Sequence, residues 1–398
     1  MQSTRYVFSR LVKACQSIHA KRLLSLRVAV DSLAVGQRLT VTGLGRSLRS
    51  RAKVKHDIKR MDRLVGNKKL FAECELMYRV VADWVIGSVT RPLIIVDWTE
   101  LTWNRTFHLL RAAVPVGGRA ITIYEEVHPT NALGNDRVHR RFLGNLAKIL
   151  ADSCKPILVT DAGFRGPWFQ AVEAQGWDWV GRVRNRTLVR EVKKTAWDRA
   201  KSLYSKASRN PKALGRFEIA KSNPRDCFLY LVRAKKRGRV RKTTRGTRSK
   251  ANASVKIARR EREPWLLASS LPNSAGMAKE VVRFYRQRMQ IEESFRDMKN
   301  QRCGFSLRDS RTQNAARLAI LMLINTLAHL ALWITGLAGQ ARSLHYELQA
   351  NTVRSHNVLS TFFVGCQLVL HHVQFYEREI VQAFRKLNIA AHASGAPC

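Results

Sequence analysis

Residues Tyr285–Lys299 read YRQRMQIEESFRDMK, a run without Gly or Pro that predicts one continuous helix. At about 100° per residue, Tyr285, Arg288, Glu292 and Lys299 crowd into a sector of roughly 60°. Phe284, Ile291, Phe295 and Met298 form a separate apolar stripe suited to a core. The polar strip carries one carboxylate, two cations and a phenol along about 21 Å of helix. That composition suits a metal-ligating Glu with phosphate-gripping groups on either side. A solvated face with an i,i+4 pair such as Arg288–Glu292 is the plain alternative.

Charge favours the first reading. The chain has 398 residues and a formal net charge of +42, from 71 Lys and Arg against 29 Asp and Glu. Such an excess on an ordinary globular composition points to a polyanion, above all nucleic acid. A membrane surface fits less well, because there is no compact lysine tail or lipidation motif. The length allows two or three domains. Seven cysteines are scattered without a CxxC pair, as expected of free thiols in a reducing compartment. The N-terminus has no uninterrupted apolar stretch of the signal-peptide kind. Leu318–Ala338 is long and apolar enough to span a bilayer, but Asn325, Thr326 and His329 interrupt it, so a buried core helix is expected.

Upstream of the helix, the apolar run LIIVD ends at Asp97. Strands are expected over Thr106–Val116 and Arg119–Val127, with Gly117–Gly118 as the tight turn between them. A helix over His139–Ala151 leads to a second strand, ILVTD, ending at Asp161 with Gly163 in the turn. Pro167–Gln175 reads as a helix and Trp179–Arg184 as a strand. This order implies a mixed sheet flanked by helices. Residues of about 186–275 break the alternation and read as a β-rich insertion, with strands at Phe217–Lys221, Cys227–Arg233 and Trp265–Ser269. Within it, fourteen of residues 233–262 are Lys or Arg, a loop able to neutralise backbone phosphates. Residues 1–88 read as basic helices with a helix-turn-helix outline, Thr42–Leu48 followed by Lys53–Leu64. Its second helix turns Lys55, His56, Lys59, Arg60 and Arg63 outward for DNA contact, with Val54, Ile58, Met61 and Leu64 inward.

Asp97 and Asp161 thus each end a buried-looking strand, the edge at which ligands collect in such sheets. One such Asp alone is usually a cap or turn residue. Two of them, an acidic helix strip and a strongly basic chain together suit a site for two divalent cations held by Asp97, Asp161 and Glu292. Hard oxygen donors favour Mg²⁺ or Mn²⁺. His345, His356, His371 and His372 show no ligand spacing and are read as structural.

The spacing Tyr285-x2-Arg288-x3-Glu292-x6-Lys299, with VDW at Asp97, TDAGF at Asp161 and RMQIEESFRD at Glu292, resembles the cut-and-paste DDE transposases of insertion sequence family four and their YREK signature. The resemblance runs over essentially the whole chain. It implies an RNase H-like mixed five-stranded sheet flanked by helices at 89–330, interrupted by the β-rich insertion at about 186–275. A helical N-terminal DNA-end-binding domain would occupy 1–88 and a helical C-terminal region for dimerisation 331–398. It implies two Mg²⁺ per active site on Asp97, Asp161 and Glu292, for which Mn²⁺ can substitute. Tyr285, Arg288 and Lys299 would contact phosphates, and Trp265 would stack a base displaced from the duplex. The implied reaction nicks a strand, forms and reopens a DNA hairpin, and joins the 3′-OH to target DNA. The implied partners are double-stranded DNA (transposon ends, flanking and target DNA) and a second copy in a paired-end dimer. No nucleotide cofactor and no membrane are expected, and the location would be the bacterial cytoplasm, at the nucleoid. Alternatives are an RNase H-like metal-dependent DNA nuclease and a non-catalytic DNA-binding inhibitor of transposition. A tyrosine recombinase would need a C-terminal Tyr within an Arg-His-Arg pocket, which the sequence does not assemble.

Overall fold

The computed structural model describes residues 1–233, 247, 249–252, 254–255, 263–353 and 355–395. Most of the basic segment 233–262, with the phosphate contacts expected of it, lies outside the described residues, as does Cys398. The other six cysteines are free thiols. The chain divides into two units, residues 1–157 with 287–398, and residues 158–286.

The first unit opens with five helices, α1 (Gln2–Ala14), α2 (Ala20–Gly36), α3 (Val41–Arg46), α4 (Val54–Val65) and α5 (Lys68–Ile86). Side-chain caps start several of them: Thr40 accepts from the Gly43 amide at α3, and Asn67 from the Leu70 amide at α5. The α3–α4 pair falls where the helix-turn-helix is expected, and Lys55, His56, Lys59, Arg60 and Arg63 are all exposed. Val54 is not inward as expected; it is 52% exposed. Asp57 is buried instead, with both carboxylate oxygens on Ser50 Oγ at 2.9 and 2.7 Å. In the first turn of α4 a carboxylate interacts well with the helix dipole, which helps offset its burial.

Three strands follow: β1 (Leu93–Glu100), β2 (Phe107–Pro115) and β3 (Ala120–Pro129), an antiparallel meander. Leu93, Ile94, Ile95 and Val96 are fully buried, the continuous apolar run of a strand covered on both faces. Gly117 and Gly118 turn β2 into β3 with φ of 90° and 93°, a region open to glycine at little cost. Helix α6 (Asp136–Ile149) starts at Asn135, which caps the amides of Arg137 and Val138.

The second unit holds β4 (Ile157–Thr160), α7 (Gly166–Glu173), β5 (Asp178–Val183), β6 (Leu188–Glu191), β7 (Asp198–Arg199), β8 (Lys212–Ile219), β9 (Arg225–Val232), β10 (Trp265–Ser269) and α8 (Met277–Gln287). Its strands run in the order β4-β5-β10-β9-β8-β6-β7. Neighbours β4 and β5 are joined through α7, and the other pairs are antiparallel. The insertion expected at about 186–275 therefore does not stand apart. Leu266 pairs with Val183 and Ser269 with Val180, so the inserted strands continue the sheet from the β5 edge. Of the seven strands in this unit, β6 to β10 fall within the stretch expected to be inserted, and β4 and β5 precede it. An open edge leaves amides and carbonyls unpaired, and β10 satisfies them.

The rest of the first unit is helical: α9 (Met289–Lys299), α10 (Ala315–Ala341), α11 (His345–Leu348), α12 (Thr361–Leu370) and α13 (Glu377–Ala393). Helix α10 is the apolar helix expected to be a core element, and 94% of its most apolar stretch is buried. It packs against α1, α2, α5, α12, α13 and β3. Against α12 the approach is backbone to backbone. A Cβ on Gly336 would come within 1.9 Å of the Thr361 carbonyl oxygen, and one on Gly365 within 2.0 Å of that of Leu332. Of the polar interruptions of α10, Thr326 Oγ1 donates to Glu125 at 2.8 Å, and the His329 ring stacks on Phe362 with centroids 4.8 Å apart.

Candidate active site

Strand β1 does not end at Asp97 as its apolar run suggests; it continues to Glu100, and Asp97 sits inside it opposite Arg111 of β2. Arg111 in turn faces Glu125 of β3. Directly paired residues share a sheet face, so Asp97, Arg111 and Glu125 form one row across three strands. Arg111 and Glu125 are buried and joined, Nε to Oε2 at 2.7 Å. Tyr78 and Thr326 donate to the other Glu125 oxygen, each at 2.8 Å. On the opposite face, Trp98 Nε1 donates to His139 Nε2 of α6 at 3.1 Å. Burial pushes His139 down to about 4, which keeps that nitrogen a neutral acceptor. Trp98, next to Asp97, is thus tied to α6 on one face of the sheet, and the buried Arg111–Glu125 pair lies on the other.

Helix α9 lies over the Asp97 row. Its apolar stripe of Ile291, Phe295 and Met298 is buried as expected, and the Arg111 guanidinium sits 5.0 Å over the Phe295 ring. A second stripe, legible only in retrospect as polar residues at i, i+4 and i+7, bolts the helix to the β2–β3 hairpin. Gln290 Oε1 accepts from the amides of Val116 and Gly117 at 3.1 and 3.0 Å. Ser294 Oγ bonds both the amide and the carbonyl of Ala120 at 2.9 Å. Asp297 takes the Arg119 guanidinium on both oxygens, at 2.5 and 3.2 Å.

The helix expected over Tyr285–Lys299 is two helices, α8 and α9, with Arg288 between them. There the ladder tightens to an i,i+3 bond, Ile291 N to Arg288 O at 3.3 Å. Tyr285 is buried in the second unit and meets Trp265 edge-on, with ring centroids 5.0 Å apart. Trp265 opens β10 half-buried. Asp161 follows β4 directly, and its Oδ1 accepts from the Gly163 amide at 2.7 Å, an Asx turn.

In the first unit, the structure brings Asp97, Arg288, Glu292 and Lys299 together. Arg288 Nη1 donates to Asp97 Oδ2 at 3.1 Å, and Nη2 donates to Glu292 Oε1. One guanidinium therefore holds both carboxylates, which the i,i+4 pair alone does not explain. Lys299 Nζ donates to Thr99 Oγ1 at 2.5 Å, two residues along β1 on the Asp97 face. Asp161, Tyr285 and Trp265 belong to the second unit. Neither unit, among the described residues, gathers three metal-ligating side chains by itself.

Burial, aided by Arg308 and Arg111, pushes the Lys299 ammonium down to about 8 against the pull of Glu100 and Asp97. The unfolded chain then binds the extra proton between about 8 and the ordinary value of 10.5, so this group's contribution to stability rises with pH across that window. Its grip on an anion runs the other way. We expect metal-free DNA affinity to fall as pH climbs through about 8 in the wild type, by up to about tenfold per pH unit. Lys299→Arg should flatten that slope, because guanidinium keeps its charge. Matching pH profiles for the two proteins would reject a phosphate role for Lys299.

Residues 89–330 match a family model described as Transposase DDE domain. A comparison with curated proteins found no match.

Proposed function

The chain belongs to the family of transposases with a DDE domain, and from that premise we propose that it excises and inserts an insertion sequence by cut-and-paste transposition through a DNA hairpin. The mixed α/β architecture is consistent with an RNase H-like transposase domain. The YREK spacing and the VDW and TDAGF motifs support family four, and these motifs resemble those of the transposase of the tetracycline-resistance composite transposon. The observation that carries the reading is the Arg288 fork: Asp97 and Glu292, 195 residues apart in sequence (292 − 97), meet on one cation.

That arrangement also fits a divalent metal. Two hard carboxylates already share a positive charge, and Glu292 keeps 42% of its side chain in contact with solvent. Asp97 and Glu292, with Asp161, would hold two Mg²⁺ or Mn²⁺. When bound, such ions activate water and stabilise the attacking and leaving oxygens of a phosphodiester. The chain's own groups do the rest. Arg288, anchored on Asp97, and Lys299, anchored on Thr99, line the same face of β1 and would hold phosphates of the transposon end. The Trp265 indole, buttressed by Tyr285, would receive the base displaced at the cut. The exposed cations of α4 would add sequence-independent grip on the end. We place the working enzyme as a dimer on paired ends, in the bacterial cytoplasm.

The reading is tested by incubating the full chain with Mg²⁺ and a plasmid carrying the ends of its own element. An excised fragment with hairpin termini is the expected product. Nicks without hairpins or joined products would instead favour the metal-dependent nuclease, for which the same carboxylates would serve.

A further inference from the structure

Six residues beyond Asp97, the loop joining β1 to β2 holds out a tryptophan that the reading above does not use. Trp103 is 60% exposed. The Arg311 guanidinium lies over its ring, 5.1 Å from the centroid. The loop is braced on both sides. Phe107 N donates to Thr102 Oγ1 at 3.1 Å, while Asn104 Nδ2 and Thr106 Oγ1 both reach Gln313 Oε1, at 3.3 and 2.9 Å. A large aromatic on a fixed loop, left in water, adds nothing to the core and keeps one π surface available.

Its surroundings are cationic. Arg308, exposed, is the nearby charge that most disfavours the Lys299 ammonium, so it lies within electrostatic reach of that lysine. Arg105 is exposed at the tip of the same loop, with Glu100 3.5 Å away as its counter-charge. Lys299 thus sits on Thr99 of β1, Arg311 sits on the Trp103 ring just beyond the end of that strand, and Arg308 adds positive charge three residues before Arg311. An aromatic face at the end of a basic track is how sequence-tolerant single-strand sites are built. A duplex keeps its bases stacked internally and offers no free face to an indole.

We propose that Trp103 and Arg311 form a stacking platform for an unpaired base of the DNA strand being cut, with Arg308 on its phosphates. The cut strand is the occupant because Trp103 follows, by three residues, the end of the strand that carries Asp97 and Thr99, on which Lys299 is anchored. The proposal rests on the DDE transposase reading and adds a second aromatic contact, in the other unit from Trp265.

The test uses the full-length wild type, Trp103→Ala, Trp103→Tyr and Arg311→Gln in metal-free fluorescence anisotropy. The probes are labelled duplexes from the element's end, blunt or bearing a short single-stranded tail at the cleavage position. The wild type should prefer the tailed duplex, and Trp103→Ala should lose about tenfold of that preference. Trp103→Tyr should retain most of it, and Arg311→Gln should lower the salt slope for the tailed probe by about one. Equal tailed-to-blunt ratios for wild type and Trp103→Ala overturn the platform. A Trp103→Ala defect confined to joining a pre-cut end to target plasmid also overturns it, because the occupant would then be target DNA. The transposase reading fails separately, if the wild type cuts no DNA carrying its own ends in Mg²⁺.

Discussion

Asp97→Ala, Asp161→Ala and Glu292→Ala should each lower strand cutting by about a thousandfold or more, while end binding stays within a few-fold of wild type. Transition-state charge stabilised through these oxygens is worth several kcal/mol, about 10³-fold in rate. Binding should survive because phosphate grip comes from cations: Arg288 loses one carboxylate partner in Asp97→Ala or Glu292→Ala and keeps the other. Removing a carboxylate also lowers repulsion towards DNA, so a modest gain in affinity is allowed in the two first-unit variants. Asp161→Ala isolates the second unit's contribution, because its carboxylate caps only a local turn. Plasmid nicking and gel-shift on the same preparations give the two readouts. Cutting above about a tenth of wild type in any of the three would end the assignment of that residue.

A second large effect is expected away from the chemistry. Arg111→Met should destabilise the first unit by about 3–5 kcal/mol, because it strands the Glu125 carboxylate in a buried site. Glu125 would keep the hydroxyls of Tyr78 and Thr326 but no cation, and neither it nor Arg111 is open to water. Replacing both partners, Arg111→Met with Glu125→Leu, should recover most of that loss, because no charge is then left uncompensated. Urea unfolding of the single and double variants measures the coupling directly. Single and double variants of equal stability would mean that the pair is not held as a unit. Because Arg111 also supports Phe295 of α9 and faces Asp97, cutting should weaken in the double variant even where stability returns.

Composition and short-range pattern determined a good deal on their own. A net charge of +42 points to a polyanionic partner on composition alone. The run Leu93–Val96, the Gly117–Gly118 turn and the strand Trp265–Ser269 are local signals, and the structure reproduces each. The same holds for the buried stripe of Ile291, Phe295 and Met298, because the period of 3.6 survives within α9. The i,i+4 spacing of Arg288 and Glu292 is local too, and these two side chains bond one another; the single helix expected over Tyr285–Lys299 is two, because the ladder tightens at Arg288.

Tertiary structure alone decided how Asp97 and Glu292 come together. Their meeting depends on cross-strand register, which sets Asp97 beside Arg111, and on the Gln290–Ser294–Asp297 stripe, which bolts α9 to the hairpin. Neither is encoded by residues near one another in sequence. The same is true of Asp57, buried where Val54 was the obvious choice, because Ser50 satisfies its carboxylate and no periodicity rule counts hydrogen bonds. Hydrophobic period tells which face turns inward; which charges then meet there depends on partners supplied from elsewhere in the chain.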